Sequence, residues 1–285
     1  MSNIDVSRAE RLDQYVSNKL PIISRATVSK LIDKGVVKVN GEIASKGGYK
    51  LRPYDIVEID YEATIQPPVP EIELEILYED EDCVVIVKPA GVLSHSKGAF
   101  NPEGTVDSWL RQRIVDIAGE RAGIVHRLDR ATSGVMICAK TADASSWLQK
   151  QFSQRKVKKT YVAVVQGMLA TSHALIDMPI ERNPKKPQTF RVGSNGKTAQ
   201  TEYKVLETSD KYSLVELKPT TGRTHQLRVH MHQLEHPIVG DSLYDGKLAD
   251  RMYLHAKSLE ITLPNRERCT FEAPVPSEFT SIMSS

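Results

Sequence analysis

Residues 198–218, TAQTEYKVLETSDKYSLVELK, read as two strands, 198–207 and 212–218, joined by Thr208-Ser209-Asp210-Lys211. A link this short cannot hold the crossover that parallel neighbours require, so the pair is antiparallel. Working outward, VVIV at 84–87, VMICA at 135–139 and YVAVV at 161–165 are short apolar runs with the composition of buried strands. Between these groups lie helical stripes. Ala144, Trp147, Leu148 and Phe152 share one face over 143–152, and Leu227, Met231 and Leu234 mark another helix from Gln226 to near Pro237. Strands that follow one another through short turns, with helices inserted between groups, predict an α+β fold with a mostly antiparallel sheet. A doubly wound βαβ array would alternate them instead.

The N-terminal stretch reads as a separate helix-helix-hairpin unit. Leu12, Tyr15, Val16 and Leu20 predict a helix over 8–20. Ser24 is placed to cap a second helix carrying Val28, Leu31 and Ile32, with Gly35 just past its end. VVKV, then Asn40-Gly41, then EIA is a type I′ hairpin signal, and DIVEI after Pro53 adds a strand. QPPVPE at 66–71 has three prolines, which excludes helix and central strand. The expected organisation is a small domain over 1–65, a linker over 66–71 and a large domain over 72–285.

The net charge of +2 excludes a uniformly basic, histone-like chain, but it is a cancellation. Residues 8–52 hold 10 basic and 4 acidic side chains, 53–120 hold 4 and 15, and 121–159 hold 9 and 2. Two basic blocks flanking an acidic one suit either two polyanion-binding surfaces or ordinary solvated helix faces. The three cysteines, Cys83, Cys138 and Cys269, have no framework spacing, MSNIDVSRAE lacks an apolar signal core, and no run of 18 apolar residues occurs. The expected setting is therefore cytoplasmic, with no membrane. Gly-rich nucleotide loops and the G-x-S-x-G elbow are absent. His225, His230, His232 and His236 cluster without any H-E-x-x-H pattern, so packed or hydrogen-bonded histidines are expected in place of a metal site.

Three stretches carry chemistry. In IVHRLDRATSG at 124–134, Asp129 sits between Arg127 and Arg130, which by itself suits a structural ion pair as well as a reactive carboxylate. RKVKKTYVAVVQG places Lys156, Lys158 and Lys159 just before Tyr161. TTGRTHQLRVH feeds a helix whose first turns carry Arg223 and Arg228, an arrangement suited to a phosphate or carboxylate.

Together with VKPAGVLSH (87–95), GRTHQLRVHMHQLEHPIVGD (222–241) and LHAKSLEI (254–261), these blocks make residues 72–272 resemble an RluA-class RNA pseudouridine synthase. Residues 8–65 resemble the small RNA-binding domain of ribosomal protein S-four. Two departures, Ser96 where proline is usual and Glu235 where glycine commonly precedes His-Pro, fall outside the catalytic positions. The resemblance implies an isomerase that detaches uracil at its ring nitrogen and reattaches it through carbon five, with no cofactor and no metal. It assigns Asp129 as the catalytic carboxylate and Arg228 as its ionic partner. Tyr161 stacks on the flipped base, Leu254 forms the wall behind it, and Arg127 fills the gap left in the RNA. Lys156, Lys158 and Lys159, with Arg8, Arg11, Arg25 and Lys30 of the small unit, are the expected phosphate contacts. The expected partner is structured RNA, large-subunit ribosomal RNA before transfer RNA, met by a monomer without an obligate protein partner. The competing reading is a non-catalytic RNA-binding or ribosome-assembly factor that keeps the fold.

Overall fold

The computed structural model describes residues 2–5, 9–19, 25–59, 70–95, 103–114, 117 and 123–284. The chain divides into two compact units, residues 1–71 with 96–104, and residues 72–95 with 105–285. Of the proline-rich run, 66–69 lie outside the described residues, as do Arg8, Leu20 and Ser24.

In the first unit, β1 (Ser2–Asp5) and β2 (Glu10–Arg11) precede α1 (Leu12–Lys19) and α2 (Arg25–Asp33). β3 (Val37–Val39), β4 (Glu42–Ile43), β5 (Lys50–Leu51) and β6 (Ile56–Ile59) follow. The sheet runs β1-β6-β3-β4, with β2 and β5 as a separate ribbon. The hairpin turns on Asn40 (φ 52°) and Gly41 (φ 82°), the two positive values a type I′ turn requires. The helix expected over 8–20 starts only at Leu12. Glu10 and Arg11 pair with β5, and the Leu12 and Asp13 N–H groups donate to the Tyr49 and Gly47 carbonyls at 2.8 and 2.9 Å. The first helical donors are thus satisfied by the remote turn that leads into β5, which short-range periodicity cannot reveal. Leu12, Tyr15, Val16, Val28 and Ile32 close over Val37, Val39, Leu51, Val57 and Ile59 to form the core.

The second unit begins with β7 (Glu75–Glu79), β8 (Cys83–Lys88), α3 (Val106–Leu110), β9 (Ser133–Ala139), α4 (Ala142–Ser153) and β10 (Lys158–Gln166). It continues with β11 (His173–Asp177), β12 (Ile180–Arg182), β13 (Phe190–Val192), β14 (Gln200–Thr208) and β15 (Tyr212–Pro219). Then come α5 (Gln226–Gln233), β16 (Leu254–Thr262), β17 (Arg268–Glu272) and α6 (Glu278–Ser281). The main sheet runs β11-β14-β15-β10-β16-β9-β8-β7, with β17 on β16. β14 and β15 are antiparallel as expected; the parallel pairing in this sheet is β16 with β9. Both faces are covered, so alternate residues of one strand enter different cores. Val135 and Ile137 of β9 pack with Ala144 and Leu148 of α4, whereas Met136 and Cys138 pack with Trp109 and Leu110 of α3. Ala163 and Val165 of β10 meet Leu227 and Met231 of α5, while Val162 and Val164 meet Phe279 of α6.

Helix α5 starts at Gln226 as expected, but Arg223 is not in its first turns. His225 takes a left-handed conformation (φ 57°) at its N-cap, leaving Arg223 in the preceding turn.

The β9–β16 crossing joins three remote segments. His255 and Ala256 of β16 face Ser133 and Gly134 of β9, while Ala256 and Leu254 face Tyr161 and Ala163 of β10. Gly134 has φ 117°, and a Cβ added there would lie 2.6 Å from the Ala256 nitrogen. Only glycine permits that approach. Gly134→Ala is expected to cost roughly 2–5 kcal/mol from strain and overpacking, read as a lower urea midpoint.

Candidate active site

Asp129 lies in the irregular stretch that enters β9, a position defined by tertiary contacts. The fully buried Lys88 ammonium donates to the Pro89, Val92 and Arg130 carbonyls at 2.8, 2.8 and 3.2 Å. Ser94 Oγ donates to the Leu128 carbonyl at 2.8 Å and accepts from its N–H at 3.1 Å. These bonds fix the backbone on both sides of Asp129. Burial pushes Lys88 down to about 7, with the Asp129 charge opposing that shift.

Arg228 reaches this loop from α5. Its Nε and Nη2 donate to the two oxygens of Asp241 at 2.7 and 2.8 Å, and Nη1 donates to Asp129 Oδ2 at 3.1 Å. Burial works against the guanidinium charge, but Asp241 and then Asp129 raise its pKa above the ordinary value. Its face covers the Tyr244 ring at 5.0 Å. The two carboxylates differ in access: the Asp241 side chain is 1% exposed and that of Asp129 21%. Asp241 is saturated by the fork. Asp129 Oδ1 accepts no hydrogen bond among the described residues, which leaves one oxygen available for chemistry. The family resemblance pairs Arg228 with Asp129; its bidentate partner, Asp241, is the residue that closes the quoted block ending HPIVGD.

Asp129 and Arg228 share a cavity of about 140 Å³ with Tyr161, Leu254, Arg127 and Lys159. Leu254 is buried at the start of β16 and Tyr161 is half-buried on β10. Burial, followed by the Asp129 charge, pushes the Tyr161 hydroxyl well above its usual range, so it is a neutral phenol at physiological pH. Lys159 donates to the Thr221 carbonyl at 3.0 Å, and burial pushes it down to about 8. Arg127 is exposed, with Nη1 3.4 Å from His95 Nε2.

The remaining candidates lie elsewhere. Lys158 pairs with Glu260 at 3.0 Å, and Lys156 is exposed beyond α4; neither lines the cavity. In the small unit, Arg11 and Arg25 both bind Asp13 Oδ2, at 3.0 and 2.9 Å, and hold that carboxyl down to about 2. Lys30 is exposed in the last turn of α2.

The histidine cluster disperses onto separate partners. His225 pairs with Tyr244, His230 with Thr201 and the Met178 carbonyl, His232 with Asp245, and His236 with the Gln166 carbonyl. Among the described residues no His, Cys, Asp or Glu group is gathered as a metal would require. His225 does approach Asp129, with Nε2 3.9 Å from Oδ2, and burial lowers its pKa. No described helix is long and apolar enough to cross a membrane.

Residues 82–233 match the RNA pseudouridylate synthase family, and residues 10–57 match the S4 domain. The chain is 38% identical to the ribosomal large subunit pseudouridine synthase D of Pseudomonas aeruginosa, over 96% of this chain and 91% of that protein. It is 37% identical to an RNA pseudouridine synthase of Aquifex aeolicus, over 96% and 93%. The structure of human RNA Pseudouridylate Synthase Domain Containing 1 superposes with a TM-score of 0.61 at 33% identity, covering 72% of this chain and 85% of that one.

Two outcomes follow from the geometry. Asp241→Ala strands the Arg228 charge in a buried site and is expected to cost about 3–5 kcal/mol in urea unfolding, with turnover falling as Asp129 loses its support. The second concerns His126, whose Nε2 accepts from the Ile137 N–H at 3.1 Å and whose ring stacks on Phe152 at 4.5 Å. Burial, followed by Lys159, lowers its pKa from 6.5 to about 3. Between those values the unfolded chain binds the proton and the folded chain does not, so stability falls as pH drops below about 6.5. His126→Gln keeps an acceptor without titrating, and its Tm should decline less steeply than wild type from pH 6.5 to 4.

Proposed function

The chain belongs to the RNA pseudouridylate synthase family and carries an S4 domain ahead of its catalytic fold, and we propose that it isomerises uridine in structured large-subunit ribosomal RNA with Asp129 as the reacting carboxylate. The observation that carries this assignment is the pairing of Asp129 and Arg228, one carboxylate oxygen held at 3.1 Å and the other available in a cavity walled by Tyr161 and Leu254. The large-subunit substrate is inferred from the names of full-length relatives.

A stacked duplex hides the glycosidic bond, so the target nucleoside must leave the stack, at a cost of a few kcal/mol that RNA loops lower. Uracil then lies on the Tyr161 ring with Leu254 behind it, and Arg127 at the rim replaces it in the RNA stack. The Asp129 carboxylate acts on the ribose to break the bond from carbon to ring nitrogen. Arg228 orients that carboxylate through the hydrogen bond to Oδ2, and Asp241 holds Arg228 in place. The base turns, carbon five bonds to the same ribose carbon, the proton leaves carbon five, and the freed ring nitrogen gains one. Tyr161 is a phenol at rest, so in carrying that proton it must pass on its own as it takes the other.

The S4 domain supplies a second grip on RNA, with Arg11, Arg25 and Lys30 available to phosphates alongside the catalytic unit's basic residues. Incubation with unmodified ribosomal RNA transcript, followed by pseudouridine mapping, tests the proposal. Wild type should give product, and Asp129→Asn should slow its formation by at least roughly 100-fold while RNA binding persists. Binding without product by the wild type would instead identify a non-catalytic RNA-binding factor.

A further inference from the structure

Beside the Asp129 cavity lies a second and larger one of about 490 Å³. The two share Arg127, Lys159, Tyr161, Thr221, Gly222 and Arg223 as walls, so they are contiguous. The second is lined by the stacked rings of His126 and Phe152, together with Gln149 and Arg155. It thus combines an aromatic wall with four cationic side chains, Arg127, Arg155, Lys159 and Arg223, and has no acidic residue in its lining. An aromatic surface beside phosphate-binding cations is the pairing that single-stranded nucleotides require.

Arg155 supplies an independent observation. It follows α4 with φ 57°, in the left-handed region where glycine or asparagine is the unstrained choice. Its N–H donates to the Phe152 carbonyl at 3.1 Å, and that of Lys156 donates to Gln151 at 3.0 Å, so the helix end itself is fully built by the backbone. The guanidinium plays no part in that termination, and among the described residues it makes no hydrogen bond or ion pair. A strained arginine at the edge of a basic cavity points to use of the side chain by a ligand.

We infer that this second cavity receives the nucleotide adjoining the target uridine, its base against the Phe152 and His126 wall and its phosphate between Arg155 and Lys159. The inference rests on the RNA substrate proposed above. Because the two cavities share walls, an adjoining nucleotide can occupy the second while the uridine occupies the first. Burial lowers the Lys159 pKa to about 8, and an approaching phosphate would raise it again by stabilising the ammonium. Arg223 is held ready by its Nε donation to the Thr198 carbonyl at 3.0 Å.

The test uses the full chain and a stem-loop RNA in which wild type forms pseudouridine. Arg155→Gly relieves the left-handed strain, so its Tm should equal or exceed that of wild type. Its affinity for the stem-loop should nevertheless fall, and the slope of log Kd against log salt should shrink by about 0.7, one single-strand phosphate contact. The rate at saturating RNA should stay within about two-fold, since the residue does not line the Asp129 cavity. A photoreactive base placed next to the target uridine should crosslink within residues 125–127 or 149–157. Product formation with an unchanged salt slope in Arg155→Gly, or a crosslink confined to another segment, would overturn this inference alone. Failure of wild type to form pseudouridine in any ribosomal RNA stem-loop would overturn the substrate assignment and this inference with it.

Discussion

The catalytic unit is organised around one guanidinium. Arg228 is buried, and the cost of burying its charge is offset chiefly by Asp241, which accepts both arms of its fork. Asp129 then receives the remaining donor, so the reactive carboxylate is oriented by an arginine that is itself immobilised. Both the exposure of Asp129 and the availability of its second oxygen follow from this order of partners. An arginine paired to Asp129 alone would have to satisfy its other donors elsewhere, and a lysine has no planar fork to present to Asp241.

That arrangement requires α5, the stretch before β9 and the loop around Asp241 to converge. The sheet makes this possible at the parallel β9–β16 crossing, where Gly134 allows close approach and sets Leu254 near the entry to β9. Tyr161 joins from β10 on the other side of β16. The buried Lys88 fastens the opposite flank of the Asp129 loop through three carbonyls, so a charged side chain serves a backbone-organising purpose deep in the fold.

Charge is likewise arranged locally. The acidic block 53–120 spends part of its charge on nearby partners: Glu79 meets Lys140, Asp107 meets Arg111, and Asp80 accepts from Tyr78 and two backbone N–H groups. The basic block 121–159 places Arg127, Arg155 and Lys159 around the two adjoining cavities. A net charge of +2 therefore coexists with a strongly cationic cleft.

Local patterns in the chain determined the elements and the fold class. The Asn40-Gly41 hairpin, the antiparallel β14–β15 pair, the α4 stripe and the signature around Asp129 all depend on short-range spacing, and each was legible there. The start of α1 was not, because β5 captures the residues before it, and neither was the left-handed turn at His225 that leaves Arg223 outside α5. The identities of Asp129, Tyr161, Arg228 and Leu254 were readable from motif resemblance. Their meeting was not, nor were the claim of Asp241 on Arg228, the burial that keeps Tyr161 a phenol, and the cavity behind Arg127. Those depend on distances between remote residues, such as Asp129 and Arg228, 99 positions apart, and hydrogen-bond geometry and desolvation exist only once the sheet has brought such residues together.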